Sequence, residues 1–135
     1  ADKLTIPIMA DESLLTSHDA LALSRHGAAD IFSLKVHKLG GLSATKKVGA
    51  VAEAAGLPCH GGSSIESSIG TAAAAHAYAA IPSVTFGCEL FGPLLLAEDI
   101  LTEPIRYADG ALQVSDRPGL GVELDEATLA EFARR

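Results

Sequence analysis

The chain has 135 residues, of which 48% are hydrophobic and 20% are charged, a composition typical of a single folded globular domain. This length excludes a complete eight-unit βα barrel, which needs roughly 250 residues. Seventeen acidic residues against ten basic ones give a formal charge of −7 without a basic cluster, which argues against nucleic acid as a partner. The longest apolar stretch is shorter than the roughly 20 residues that span a bilayer, which argues against membrane insertion.

The two cysteines and the amino terminus bear on location. Cys59 and Cys88 have apolar neighbours and lack CxxC spacing, which predicts buried thiols in a reducing compartment such as the cytoplasm. The first residues, ADKLTIPIMADES, do not have the pattern of a secretory signal. Because they lead directly into an apolar run, we expect the natural start of the protein to lie upstream of residue 1.

Short apolar runs alternate with helical patterns along the first hundred residues. The runs predict strands over 6–10, 31–35, 57–60 and 84–89, whose starts lie 25 to 27 residues apart. The helical patterns cover 17–26, about 43–56, 68–80 and 94–100, and Ser17 is the expected N-cap of the first helix. This alternation predicts an α/β fold with parallel strands and right-handed crossovers, about half of an eight-unit barrel.

The last stretch has a different character. Residues 105–107 and 111–114 flank an Ala-Asp-Gly turn and predict a β-hairpin, and a terminal helix is expected over about 125–134. We therefore divide the chain into a βα segment, residues 1–103, and a tail, residues 104–135. The tail breaks the βα rhythm, so we expect it to pack on something other than the barrel wall.

Three ionisable residues lie at the carboxyl ends of predicted strands, where functional groups of parallel α/β sheets collect. They are Asp11, Lys35 and Glu89. Side-chain alternation places Ser33 on the same face as Lys35, and it places Gly87 on the same face as Glu89. The larger apolar residues of these strands then face the helices, and the charges share one polar site.

Each of these residues can be interpreted either as an ordinary solvated charge or as a functional group. Asp11 and Glu12 are either solvated loop carboxylates or oxygen ligands of Mg²⁺ or Mn²⁺, whose remaining ligands would lie outside this chain. Lys35 either reaches water or acts beside a cation, as an acid or base or as a fixed positive charge. The sequence around Glu89, ELFGP, is apolar and favours a proton donor.

The remaining polar residues near the strand ends give weaker signals. The GGSS turn, with Ser63, offers N–H groups and hydroxyls that suit an anion, whereas Glu66 fits the first turn of the following helix. We expect Lys38 to be solvated. His60 fits a hydrogen-bonded structural histidine, and the five histidines lack the spacing of a zinc site.

Several segments together resemble one family. These are MADES, FSLK, GGSSIESSIGTAAAAHA, FGCELFGPLLLAEDI and PGLGVELDE. They are similar to the C-terminal part of muconate cycloisomerases of the enolase superfamily, over essentially the whole chain. The resemblance implies the last four strands of a TIM-type (β/α)₇β barrel in residues 1–103. It also implies that the tail, 104–135, returns to an N-terminal capping domain, which is absent from this chain together with the first half of the barrel.

The resemblance also implies roles. Asp11 matches one of three carboxylate ligands of Mn²⁺ (or Mg²⁺), with Glu12 as second choice, and Lys35 matches an active-site lysine. Glu89 matches the proton donor, and Ser63 and Phe91 match positions near the substrate. The implied reaction is the reversible cycloisomerisation of the dicarboxylate cis,cis-muconate to muconolactone in catechol breakdown, in a homo-oligomer that is commonly an octamer. We expect the 135-residue chain alone to be inactive.

Two alternatives stay open at this point. Chloromuconate cycloisomerase, dipeptide epimerase and o-succinylbenzoate synthase share the DES and lysine features, so the substrate could differ. A non-enzymatic alternative is a receiver-like signalling module, which also has βα units and an acidic pair after its first strand. Such a module needs an aspartate after the third strand, whereas the third predicted strand here ends in His-Gly-Gly.

Overall fold

The computed structural model describes residues 4–133, which form four βα-type units and a tail. The expected Arg134 end of the last helix lies outside these residues, as do residues 1–3 and 135. None of the helices within 4–133 is long and apolar enough to cross a membrane. The elements are β1 (Met9–Ala10), α1 (Ser17–Arg25), β2 (Ile31–Leu34), α2 (Leu42–Ala54), β3 (Cys59–Gly61), α3 (Ser68–Ala79), β4 (Val84–Cys88), a 3₁₀ helix (Gly92–Leu95), β5 (Tyr107–Ala108), β6 (Ala111–Leu112) and α4 (Glu126–Phe132).

Strands β1 to β4 form one parallel sheet in the order β1-β2-β3-β4. Each strand therefore lies beside the next strand of the chain, as in a βα barrel. A receiver-like module has the order 2-1-3-4-5, in which the first crossover runs the other way along the sheet. The strand order excludes the receiver-like alternative. The sheet is open, with β1 and β4 at its two edges.

The core lies between the sheet and helices α1 to α3. Phe32 and Leu34 of β2 are fully buried in it, on the helix side that alternation predicted. Ser33, between them, is also buried, and a Cβ on Gly62 would approach its Oγ within 2.7 Å on the other face. The helix partners of the core include small residues, Ala52 of α2 and Ala74 of α3, which let the helices approach the sheet closely.

The first helix begins with a capping box rather than with the predicted N-cap, Ser17. Thr16 is the N-cap: its Oγ1 accepts a hydrogen bond from the Asp19 N–H at 3.2 Å, and Asp19 Oδ2 accepts one from the Thr16 N–H at 2.8 Å. These two bonds satisfy two backbone donors at once, which a cap at Ser17 would not do. The hydrogen bond with Thr16 lowers the pKa of Asp19 below its ordinary value of 3.8.

Strand β4 departs from the predicted alternation. Cys59 pairs with Val84 and Gly61 pairs with Cys88, so β4 takes four steps where β3 takes two. This irregularity, together with the positive φ of Gly87 (75°), indicates a bulge in β4 shortly before Glu89. Cys59 is buried as expected, but Cys88 is exposed because β4 is an edge strand.

The tail folds back against the end of the βα segment. Its hairpin, β5 and β6, turns through Asp109 and Gly110, both at positive φ, as the sequence pattern predicted. The Tyr107 hydroxyl donates to the Leu90 carbonyl at 2.7 Å and ties the hairpin to the end of β4. The helix predicted over 94–100 is replaced by the 3₁₀ helix Gly92–Leu95, and Asp99 instead accepts hydrogen bonds from the N–H and hydroxyl of Ser68 at the start of α3.

Candidate functional site

The carboxyl ends of the four strands bring the predicted site residues to one edge of the sheet. Asp11 directly follows β1, Lys35 follows β2 and Glu89 follows β4. Lys35 Nζ lies 2.8 Å from Asp11 Oδ2. Glu89 Oε1 lies 3.3 Å from the N–H nitrogen of Ser63, which follows β3. Residues that are far apart in the chain therefore line one site, because parallel strands in sequential order end side by side.

Lys38 also belongs to this site, contrary to our expectation that it is solvated. Its side chain is only 12% exposed, and Nζ lies 2.5 Å from Asp11 Oδ1 and 2.6 Å from the Asp11 carbonyl oxygen. The turn after β2 causes this placement, since the Leu39 N–H bonds to the Lys35 carbonyl and folds the chain back over the strand end. Each carboxylate oxygen of Asp11 thus faces one ammonium group.

The electrostatics of this triad, Asp11, Lys35 and Lys38, follow from these contacts. Partial burial disfavours the charged form of Asp11, but the hydrogen bonds from Lys35 and Lys38 outweigh it and hold the Asp11 pKa below its ordinary value of 3.8. The hydrogen bond to Asp11 raises the pKa of Lys35 above its ordinary 10.5, against the opposing effect of burial. Lys35 is therefore a cation at neutral pH. The exposed Glu12 adds a smaller electrostatic effect in the same direction.

The surroundings of Glu89 are more polar than its sequence neighbours indicated. Its side chain is 45% exposed, and its carboxylate meets the Ser63 N–H and the ring of His60, whose Nε2 lies 3.9 Å from Oε1. The other ring nitrogen of His60, Nδ1, is 3.1 Å from the Phe86 carbonyl oxygen, so His60 is hydrogen-bonded as predicted. Phe91, at the start of the 3₁₀ helix, is 38% exposed two residues beyond Glu89.

The polar atoms of the GGSS turn are engaged by protein carboxylates. The hydroxyl of Ser63 donates to Glu66 Oε2 at 2.8 Å, and the N–H of Ser64 donates to the same oxygen at 2.6 Å. The Ser63 N–H is directed at Glu89. The turn therefore holds two carboxylates of this chain, including Glu66, which the sequence assigned only to the first turn of a helix.

Tyr78 is a second residue near the site that the sequence did not single out. Its hydroxyl, within the core, is 2.6 Å from the Leu34 carbonyl oxygen and 2.8 Å from that of Gly62, at the ends of β2 and β3. Burial raises the pKa of Tyr78 well above its ordinary value of 10.0. The available signal was a lone aromatic residue in the alanine-rich stretch TAAAAHAYAA.

A divalent cation fits this site only in part. Asp11 supplies the hard oxygen donors that Mg²⁺ and Mn²⁺ prefer. Among residues 4–133, however, no group of three His, Cys, Asp or Glu side chains could hold a metal ion. The described residues therefore do not form a complete metal site by themselves.

Comparison with known proteins identifies the family of this chain. The family model described as "Enolase C-terminal domain-like" matches residues 1–128. The chain belongs to this family. A muconate cycloisomerase 1 from Rhodococcus opacus is 54% identical over 129 residues, which are 96% of this chain and 35% of that protein. The chain thus spans about a third of the length of the curated relatives it matches.

Solved structures show the same relationship for this enolase C-terminal domain-like chain. The muconate lactonizing enzyme from Pseudomonas putida superposes with a TM-score of 0.94 at 49% identity, over 97% of this chain and 37% of that one. The 2-chloromuconate cycloisomerase from Rhodococcus opacus 1CP superposes with a TM-score of 0.94 at 47% identity, over 97% of this chain and 36% of that one. The predicted α/β fold and the resemblance to the C-terminal part of muconate cycloisomerases are confirmed.

Proposed function

We propose that this chain is the C-terminal part of a muconate cycloisomerase, which converts cis,cis-muconate reversibly into muconolactone. The observation that carries this proposal is the meeting of Asp11, Lys35 and Glu89 at the carboxyl edge of a family sheet. The identity of 54% to a muconate cycloisomerase over 96% of the chain supports the substrate class. The remaining part of the barrel and a capping domain would come from the residues that the longer relatives have and this chain lacks.

We assign roles from the geometry of the site. In the forward reaction a carboxylate oxygen of muconate forms a bond to a carbon of its own double bond, and a proton is added to the neighbouring carbon. Glu89, whose side chain is partly exposed, would donate this proton and take it back in the reverse reaction, as the family resemblance implies. Lys35 is a cation and would stabilise the negative charge that develops on the substrate before protonation. Ser63 and Phe91 would border the substrate.

The metal of this proposal is Mn²⁺ or Mg²⁺, and Asp11 would be one of its ligands, with Glu12 as second choice. When bound, the cation supplies Lewis-acid stabilisation of negative charge on the substrate carboxylate. Lys38 holds the backbone carbonyl and one carboxylate oxygen of Asp11, and so fixes where this side chain points. We further propose a cytoplasmic homo-oligomer, an octamer by its family, with a boundary at residues 103 and 104 between barrel and tail.

The test measures turnover of muconate by the full-length protein with Mn²⁺. The reaction is monitored through the loss of the ultraviolet absorbance of muconate. We expect the wild type to be active and Lys35→Ala to lose about 10²- to 10⁴-fold in kcat. We expect the isolated 135-residue chain to be inactive. Lys47→Ala, at an exposed position of α2, is the matched control and should behave as wild type. Turnover by Lys35→Ala equal to that of the control would contradict the assigned role.

Chloromuconate cycloisomerase is the second candidate. It is favoured by the TM-score of 0.94 to a 2-chloromuconate cycloisomerase and by 46% identity to a chloromuconate cycloisomerase from Cupriavidus pinatubonensis. Comparing kcat/KM on muconate, chloromuconates, dipeptides and the o-succinylbenzoate precursor with one enzyme preparation separates these activities. Higher kcat/KM on a chloromuconate than on muconate would reverse the order of the two candidates.

A further inference from the structure

The loop that joins β3 to α3, residues 62–67, is organised around one carboxylate. Glu66 Oε2 accepts the Ser63 hydroxyl at 2.8 Å and the Ser64 N–H at 2.6 Å. The Ser63 oxygen in turn accepts the Ile65 N–H at 3.0 Å. Three consecutive residues of the β3–α3 loop are thus tied, directly or through Ser63, to Glu66.

The same loop presents a donor to Glu89. Ser63 is 8% exposed, and its N–H is directed at Glu89 Oε1 at 3.3 Å. The hydroxyl and the N–H of one residue therefore bind two carboxylates, Glu66 on one side and Glu89 on the other. A shift of Ser63 away from Glu66 would move this N–H relative to Glu89.

The backbone around Glu66 is constrained. Ile65 has a φ of 61°, a conformation that β-branched residues rarely adopt, so the loop needs fixed contacts to keep it. A Cβ on Gly70 would lie 2.8 Å from Cβ and Cγ of Glu66, and a Cβ on Gly92 would overlap the Glu66 carbonyl oxygen. Glu66 therefore packs closely against helix α3 and the 3₁₀ helix, at two positions where only glycine fits.

We propose that Glu66 is a positioning residue of this enzyme: through Ser63, it holds the N–H that orients the Glu89 carboxylate. The proposal rests on the proposed function for its kinetic readout. It also has a readout that does not need turnover, because loss of the Glu66 contacts frees the Ser64 amide and lets the Ser63 amide move away from Glu89. Glu66 itself touches neither substrate nor reacting atoms in this assignment.

The kinetic test uses the full-length protein with Mn²⁺ and muconate. We expect Glu66→Ala to lower kcat about 10- to 100-fold with a change in KM below about threefold, because misplacing a catalytic group affects the chemical step. Glu66→Gln keeps an acceptor oxygen of the same reach and should retain kcat within about threefold. Glu53→Ala, at an exposed position of α2, is the control. Wild-type kcat in Glu66→Ala would overturn the proposal.

A double-mutant cycle separates positioning of Glu89 from a general structural role. In a Glu89→Gln background, Glu66→Ala should cost less than about threefold in kcat, since the group on which it acts is already removed. An undiminished loss in that background would overturn the proposal. Should Glu66→Ala fail to fold, Glu66→Asp, whose shorter side chain no longer reaches the Ser63 hydroxyl and the Ser64 N–H from the same place, takes its place with the same expectations.

Hydrogen exchange tests the positioning role of Glu66 separately from the proposed function. In Glu66→Ala, the amides of Ser63 and Ser64 should exchange about tenfold faster or more, while those of α2 keep their wild-type rates. If the wild type turns over neither muconate nor chloromuconates, the proposed function fails, and exchange still decides whether Glu66 holds the loop. Unchanged exchange at Ser63 and Ser64 would overturn the positioning role whatever the substrate is.

Discussion

The hydroxyl of Tyr78 joins the ends of β2 and β3 from the helix side of the sheet. It lies 2.6 Å from the Leu34 carbonyl oxygen and 2.8 Å from the Gly62 carbonyl oxygen, and the residue is 4% exposed. Leu34 also accepts the Gly62 N–H at 2.8 Å, so that carbonyl keeps one partner if the hydroxyl is removed. Tyr78→Phe should therefore lower the free energy of unfolding at pH 8 by about 1–2 kcal/mol.

The stability difference between wild type and Tyr78→Phe should shrink at high pH. Burial raises the pKa of Tyr78 in the folded state above its ordinary 10.0, so its contribution to stability is complete below pH 10 and is lost as the pH rises further. At pH 11 the unfolded wild type has ionised Tyr78 while the folded form has not, which costs about 1.4 kcal/mol. Tyr78→Phe does not incur this cost, so the two proteins should become nearly equal in stability.

The assay is urea unfolding of the full-length wild type and Tyr78→Phe at pH 8, 10 and 11, followed by circular dichroism. Tyr107→Phe is the matched control, because Tyr107 also donates to a backbone carbonyl but is only partly buried. Its difference from wild type should change less with pH. A gap between wild type and Tyr78→Phe that stays constant from pH 8 to pH 11 would refute the reasoning.

Two further pairs of substitutions test local features by thermal or urea unfolding and by kcat. Thr16→Ala should cost about 1 kcal/mol and Ser17→Ala less than about 0.5, and equal effects would contradict the capping box. Gly61→Ala should lower stability by about 1–3 kcal/mol, since its Cβ would lie 2.5 Å from the Tyr78 ring. Gly62→Ala would crowd the Ser33 Oγ at 2.7 Å and the Lys35 side chain at 3.0 Å on the site face of the sheet, and should mainly lower kcat, about tenfold. A larger stability loss for Gly62→Ala and a larger kcat loss for Gly61→Ala would contradict the assignment of these two glycines to opposite faces.

Strand-end position was enough to locate much of the candidate site. Asp11, Lys35 and Glu89 could be grouped from the sequence because apolar runs at a regular spacing predict parallel strands, and parallel strands end at one edge. The helix-facing side of β2 followed from alternation for the same reason: a strand with period two has only two faces. The receiver-like alternative was excluded only by the strand order, which no local pattern specifies.

Contacts made across turns could not be predicted in this way. Lys38 looked solvated because it lies beyond the strand, yet the turn after β2 folds it onto Asp11. The irregular pairing of β4 could not be predicted either, because no local pattern shows how many residues of β4 lie opposite two steps of β3. Glu66 looked like an ordinary helix-start residue because its role depends on the path of the loop.

The sequence by itself determined the βα alternation, the family resemblance and the residues at the strand ends, since these depend on local periodicity and residue type. Only the tertiary structure decided which polar atoms meet: the two ammonium groups on Asp11, the Tyr78 hydroxyl between two strand ends, and Ser63 between two carboxylates. The physical reason is that a hydrogen bond requires atoms within about 3 Å, a distance set by turns and register rather than by sequence spacing.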